Sequence, residues 1–242
     1  MNLRPGEPLV FATTHWSVVL AASQPGTPGH QAALEQLCCT YWYPIYGFAR
    51  RRGMAPSDAE DCTQEFFARL LAKEWLTGVE RNGSRFRAFL LTAVSRFLAN
   101  EWDRRTAAKR GGGVAPLSLQ DAEARFQAED PRIEPAERAY DRNWALTVMD
   151  TALHRLREEA RANGNTRIFE HLSPLLSREP APGEYEVLAS GLEMSPGAVG
   201  VAVHRMRRRY RDIVRSVIEQ TVADPSEAES ELRYLVEVLR GP

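Results

Sequence analysis

The run PSDAEDCTQEFFARLL, from Pro56 to Leu71, carries its fold in its spacing. Ala59, Cys62, Phe66 and Leu70 recur three or four residues apart and make one apolar stripe on a helix. Ser57, followed three residues later by Glu60, predicts a capping box at the start of that helix. Asp58, Asp61, Gln64 and Glu65 are left to face water or a partner. A merely solvated face and a docking face fit this pattern equally well.

The 242 residues suffice for one large domain or two small ones, each with its own core. A hydrophobic share of 43% and a charged share of 26% are those of an ordinary globular protein. No apolar run has the length needed to cross a bilayer, and MNLRPGEPLV lacks a basic segment followed by a hydrophobic one, so a cytoplasmic chain without a membrane partner is expected. The three cysteines form neither a metal-ligand spacing nor a disulfide framework. The five histidines are scattered over separate helical patterns, and Glu60 and Asp61, as sequence neighbours, diverge on a helix. These features predict no catalytic residue, no metal and no cofactor.

Net charge is only −1, so any binding to nucleic acid must come from local basic patches. One is HRMRRRYRDIVR, where Arg205, Arg207, Arg208, Arg209, Arg211 and Arg215 face a single acid, Asp212. A smaller one gathers Arg104, Arg105, Lys109 and Arg110.

Helical spacing dominates the rest of the chain. A short helix capped by Thr13 or Thr14 is expected through HWSVVLAA, then a long one from His30 to Arg52 with a kink or break at Pro44 and an end at Gly53. RFRAFLLTAVSRFLANEWDRR is a third strong helix with a wide apolar face. Residues 107–140 contain three consecutive glycines, scattered prolines and many acids, which predicts a flexible linker with a short helix near Asp121 to Phe126. Beyond it come an amphipathic helix from Asp141 to Asn163 and another from Ile168 to Leu176. The pair Glu184 to Leu192 and Pro196 to about Arg211 has the layout of a helix-turn-helix, the second helix capped by Ser195 with Pro196 at its first position. A last helix is expected after Pro225, with Ala228, Leu232, Leu235, Val236 and Leu239 on one side and packed on the helix-turn-helix domain. The whole predicts an all-α protein: a helical bundle over 1–106, a linker over 107–140, and a helix-turn-helix domain with an extra helix over 141–242.

DAEDCTQEFFARLL resembles the most characteristic helix of bacterial RNA polymerase sigma factors of the extracytoplasmic-function group, with Cys62 where a Leu is usual. LCCTYWYPIYGFARRRG, FRAFLLTAVSRFLANEWDRR and VAVHRMRRRYR are similar to further parts of that family, in the same order. The resemblance implies a factor that binds core polymerase at the β′ clamp and the β flap, recognises promoter DNA and starts transcription, with an anti-sigma protein or another regulator as a further partner. It assigns polymerase binding to Asp58, Glu60, Asp61, Gln64 and Glu65. It assigns the −10 element to Asn100, Trp102, Arg104 and Arg105, with the loop Thr77 to Arg85 holding a flipped base. It assigns the −35 element to Ser195, Val199, His204, Arg205, Arg208 and Arg209. Two departures stand out: Glu193 replaces the usual turn glycine, and Gly200 replaces a Lys at a position the family turns to phosphate. A helix-turn-helix regulator acting without polymerase, or a polymerase adaptor brought to DNA by another protein, are the competing readings.

Overall fold

The computed structural model describes residues 30–72, 86–105, 119–128, 135–219, 222 and 225–241. The predicted helix near Trp16, the loop Thr77 to Arg85 and the glycine run at 111–113 lie outside them. The described regular structure is entirely helical, as the periodicity predicted. In order, the helices are α1 (His30–Arg51), α2 (Pro56–Ala72), α3 (Phe86–Arg105), α4 (Leu119–Ala128), α5 (Ala136–Ala162), α6 (Thr166–Leu172), α7 (Glu184–Leu192), α8 (Pro196–Glu219) and α9 (Ala228–Arg240). Short 3₁₀ turns at Ser173–Leu176 and Pro225–Glu227 precede α7 and α9. The chain forms two compact units, one made of residues up to Thr147 and from Ile218 onward, the other Val148–Val217.

In the first unit α1 runs unbroken through Pro44. The predicted break is absent because Pro44 lies in the most deeply buried stretch of the helix. Tyr41, Trp42, Ile45, Tyr46 and Phe48 are all at most 1% exposed, and their burial outweighs one missing backbone hydrogen bond. Gly53 ends the helix with a φ of 88°, as a C-cap glycine does. Gly47 lets α5 come close to α1: a Cβ there would stand 2.8 Å from Asn143 Nδ2.

α2 buries Ala59, Cys62, Phe66 and Leu70, the stripe read from its spacing. Its start differs from the predicted capping box. Pro56 takes the first helical position, Ala59 N–H donates to the Ala55 carbonyl, and Ser57 falls inside the first turn. α3 packs Phe86, Leu90, Val94 and Phe97 inward, with Phe66 and Phe97 meeting edge to face.

The predicted linker is partly built structure. α4 docks on α1 through Glu123, which accepts from Arg50 Nη2 at 2.8 Å, Arg50 Nε at 3.0 Å and Tyr46 Oη at 2.7 Å. Arg50 lies 4.6 Å from the Phe126 ring centre, and Arg125 lies 3.9 Å from that of Tyr43. The hydrogen bonds from Arg50, foremost, hold the Glu123 carboxyl down at about 2, while burial and then Glu123 push the Tyr46 phenol upward.

The tail helix packs elsewhere than predicted. Glu231, on α9, is 1% exposed and accepts from Arg87 Nε at 3.1 Å, near the start of α3. Arg87 also donates to Asp141, which accepts from Tyr234 Oη as well. The guanidinium lies 4.9 Å from the Trp144 ring centre and 4.7 Å from that of Tyr234. Burial works against its charge, and Asp141 and Glu231 outweigh that effect, so Arg87 is held more firmly protonated than usual. This buried network turns α9 so that Ala228, Glu231, Leu235 and Val238 face inward and Val236 faces water.

In the second unit the core is Leu172, Leu175, Ala189, Val199 and Val203, with Tyr185, Leu188, Leu192 and Met206 packed around it. α7 spans the predicted residues, and α8 continues to Glu219, about two turns beyond the predicted end.

Candidate functional site

Three helices, α2, α3 and α8, carry the residues that the sequence singled out. On α2 the buried side is apolar, and the other side presents Asp58, Glu60, Asp61 and Gln64 half-buried with Glu65 exposed. Gln64 Nε2 donates to Glu60 Oε1 at 3.3 Å, and Glu65 pairs with Arg69 at 2.6 Å, one turn on. Partial burial, and then the neighbouring Asp61 carboxylate, push Glu60 above its ordinary value. The face is therefore an acidic patch with an amide in it, held on a helix whose position is fixed by a fully buried aromatic core.

The −10 candidates lie on the C-terminal half of α3. Asn100 is exposed on that helix. Trp102, Arg104 and Arg105 fall within its last turns, and their side chains lie outside the described residues.

The −35 candidates lie on and before α8, and the structure separates them by role. Ser195 is the N-cap residue: its Oγ accepts from Ala198 N–H at 3.2 Å, so the hydroxyl serves the helix start. Val199 is 0% exposed and belongs to the core, which corrects its assignment to DNA. Val199 and Val203, four residues apart, form the stripe that seats α8 on α6 and α7, and this spacing was readable in the sequence. His204, Arg205, Arg208 and Arg209 are exposed. Arg205 and Arg208 have no hydrogen-bond or ion-pair partner among the described residues, whereas Arg209 Nη2 pairs with Glu159 at 2.6 Å. That hydrogen bond is the main cause of the lowered Glu159 carboxyl.

Arg207, part of the same basic run, does a different job. Its Nε donates to the Leu175 carbonyl at 2.9 Å, its Nη2 to the Arg178 carbonyl at 2.5 Å, and its Nη1 pairs with Glu179 at 3.1 Å. It pins the chain that enters α7. Of Arg205, Arg207, Arg208 and Arg209, one is thus structural, one is paired, and two have their charge open to a partner, while Arg211 and Arg215 further along the run are exposed as well.

The turn between α7 and α8 bears out the concern about Glu193. It takes φ 57° and ψ 40°, the left-handed conformation, and is the non-glycine residue with positive φ among the described residues. Its N–H and that of Met194 both reach the Ala189 carbonyl, so the helix end is satisfied despite the missing glycine. Gly200 is explained differently from its sequence reading: a Cβ there would point at the Tyr185 ring, 3.5 Å from Cε2. The position faces α7 rather than phosphate.

The family model for the ECF sigma factor matches residues 26–173, more than half of the chain. The chain belongs to the ECF sigma factor family. Curated proteins and solved structures gave no match. The match spans α1 to α6 and ends before α7 and α8, so the helix-turn-helix pair of this sigma factor rests on its own geometry. As a sigma factor it is a regulatory DNA-binding protein of transcription initiation rather than an enzyme. No helix among the described residues is long and apolar enough to cross a membrane.

Proposed function

We propose that this sigma factor docks on the β′ clamp of core RNA polymerase through the α2 face made by Asp58, Glu60, Asp61, Gln64 and Glu65, and contacts promoter DNA at two places. The observation that carries the reading is the division of α2 into a buried apolar stripe and an opposite side on which these polar residues remain partly or fully exposed. The C-terminal end of α3, with Asn100, Trp102, Arg104 and Arg105, takes the −10 element. Strand opening without a nucleotide cofactor is offset by capture of unstacked bases and of the backbone. α8 takes the −35 element, with Arg205 and Arg208 as the cations open to DNA and His204 beside them. The β flap and an anti-sigma protein or another regulator are further partners that membership of the family implies.

The test is capture of purified core polymerase by the full chain and by a variant carrying Asp61→Lys and Gln64→Ala, with helicity checked by circular dichroism. Capture by the wild type and its loss in the folded variant is the expected result. Equal capture by both would remove α2 from the interface. A footprint on promoter DNA in the absence of polymerase would favour an autonomous helix-turn-helix regulator instead.

A further inference from the structure

Along α8, Gly197, Val201, His204, Arg205 and Arg208 stand four, seven, eight and eleven residues after the first of them, so they share one face. Val201 is 51% exposed there, while its neighbours Val199 and Val203 are buried in the core. A single exposed valine is ordinary on a protein surface. Three features set this one apart. It lies one turn before Arg205 and two turns before Arg208, exposed arginines without a described partner. Gly197, one turn earlier, carries no side chain and has nothing within 4 Å of a Cβ position, so it does not cover Val201. Gly200 is turned to Tyr185, and Pro196 and Ala198, both without a hydrogen-bonding side chain, accompany them near the helix start. Val187 on α7 is 73% exposed but lies on the first helix of the pair, one turn after Glu184, rather than on α8.

The open side of the first two turns therefore offers a base pair an apolar surface and no hydrogen-bonding side chain before His204. In the major groove, thymine alone presents an apolar group, its C5 methyl. Helices of helix-turn-helix proteins bring the residues near their N-termini to base edges. We infer that Val201 is a specificity-determining residue that packs against the methyl group of one thymine in the −35 half of the promoter, with Arg205 and Arg208 on the same face holding the backbone. This rests on α8 being the −35 helix.

The experiment uses the full chain with core polymerase. A duplex library randomised in its −35 half is selected by this holoenzyme, and each thymine of the selected sequence is then replaced singly by deoxyuridine, which removes only the methyl group. The wild type should lose about fourfold in affinity at one thymine, the worth of one buried methyl. Val201→Ala, at an exposed position that the core does not need, should bind the thymine and deoxyuridine duplexes alike. Equal binding of both by the wild type at every position, retained discrimination by Val201→Ala, or selection of no −35 sequence would each overturn the assignment. Failure of the underlying reading has a separate signature. Arg205→Ala together with Arg208→Ala should weaken binding across all duplexes, and unchanged binding by that variant would show that α8 does not lie on the DNA.

Discussion

Glu193 is a residue whose backbone works against its side chain. A non-glycine residue in the left-handed region costs about 1–2 kcal/mol, and glycine gives back roughly 0.5–1 kcal/mol of that through its freer unfolded state. Glu193 is exposed, so replacing it loses no packing. Glu193→Gly should therefore raise the stability of the helix-turn-helix unit by about 0.5–1 kcal/mol, read as a shift of the denaturant midpoint with the slope unchanged. A lower midpoint would mean that the carboxylate makes a contact worth more than the strain. This position was legible in advance, because turn chemistry is local and the sequence shows which residue occupies the turn. Val199 could also have been placed correctly, since its four-residue spacing to Val203 marks the buried stripe. Gly200 was not legible: its place against Tyr185 depends on how α7 crosses α8, which no local pattern states.

At the scale of elements, periodicity located the helices but not what they pack against. The stripe of α2 and the bounds of α7 follow from spacing alone. The seat of α9 depends on Arg87 and Glu231, 144 residues apart in the chain, and an isolated acid in an amphipathic helix reads as solvent-facing. The same holds for α4, whose acidic, proline-flanked surroundings read as a tether, while Glu123 closes an ion pair with Arg50 across 73 residues. That pair makes α4 docking dependent on pH. The Glu123 carboxyl is held at about 2 in the folded protein, below the roughly 4.3 of an unfolded chain. Its contribution to stability is thus essentially complete above about pH 5 and is lost as the pH falls towards 2. Glu123→Gln should lower the melting temperature at pH 7, and the gap to the wild type should narrow steadily between pH 5 and pH 3. A gap that stays constant over this range would show that Glu123 acts through shape rather than charge.

For the whole molecule, 31 basic and 32 acidic side chains leave almost no net charge to attract DNA, so affinity must come from the few cations not already engaged within the protein. Within the basic run the structure divides these unevenly. Arg207 is spent on the Leu175 and Arg178 carbonyls and Arg209 on Glu159, while Arg205, Arg208, Arg211 and Arg215 are exposed, Arg205 and Arg208 on the face that leads from the helix start. Counting arginines in the sequence therefore overstates the number of phosphates α8 can hold. Each phosphate neutralised releases counterions, and the logarithm of the binding constant falls with the logarithm of salt by about 0.9 per contact. Arg205→Ala and Arg208→Ala should each flatten that slope by about one unit for holoenzyme on promoter DNA, measured between 50 and 200 mM salt as set by the general range for such titrations. Arg209→Ala should flatten it less, because the Glu159 carboxylate already neutralises its guanidinium and would have to be given up for DNA. An equal effect of all three would mean that the Arg209 pair opens on binding, and Glu159→Gln would then raise affinity while leaving the slope of the otherwise unaltered protein unchanged. If the pair persists in the complex, Glu159→Gln frees Arg209 for a phosphate and steepens the slope, so the two substitutions together decide whether this ion pair belongs to the fold alone or is exchanged for phosphate.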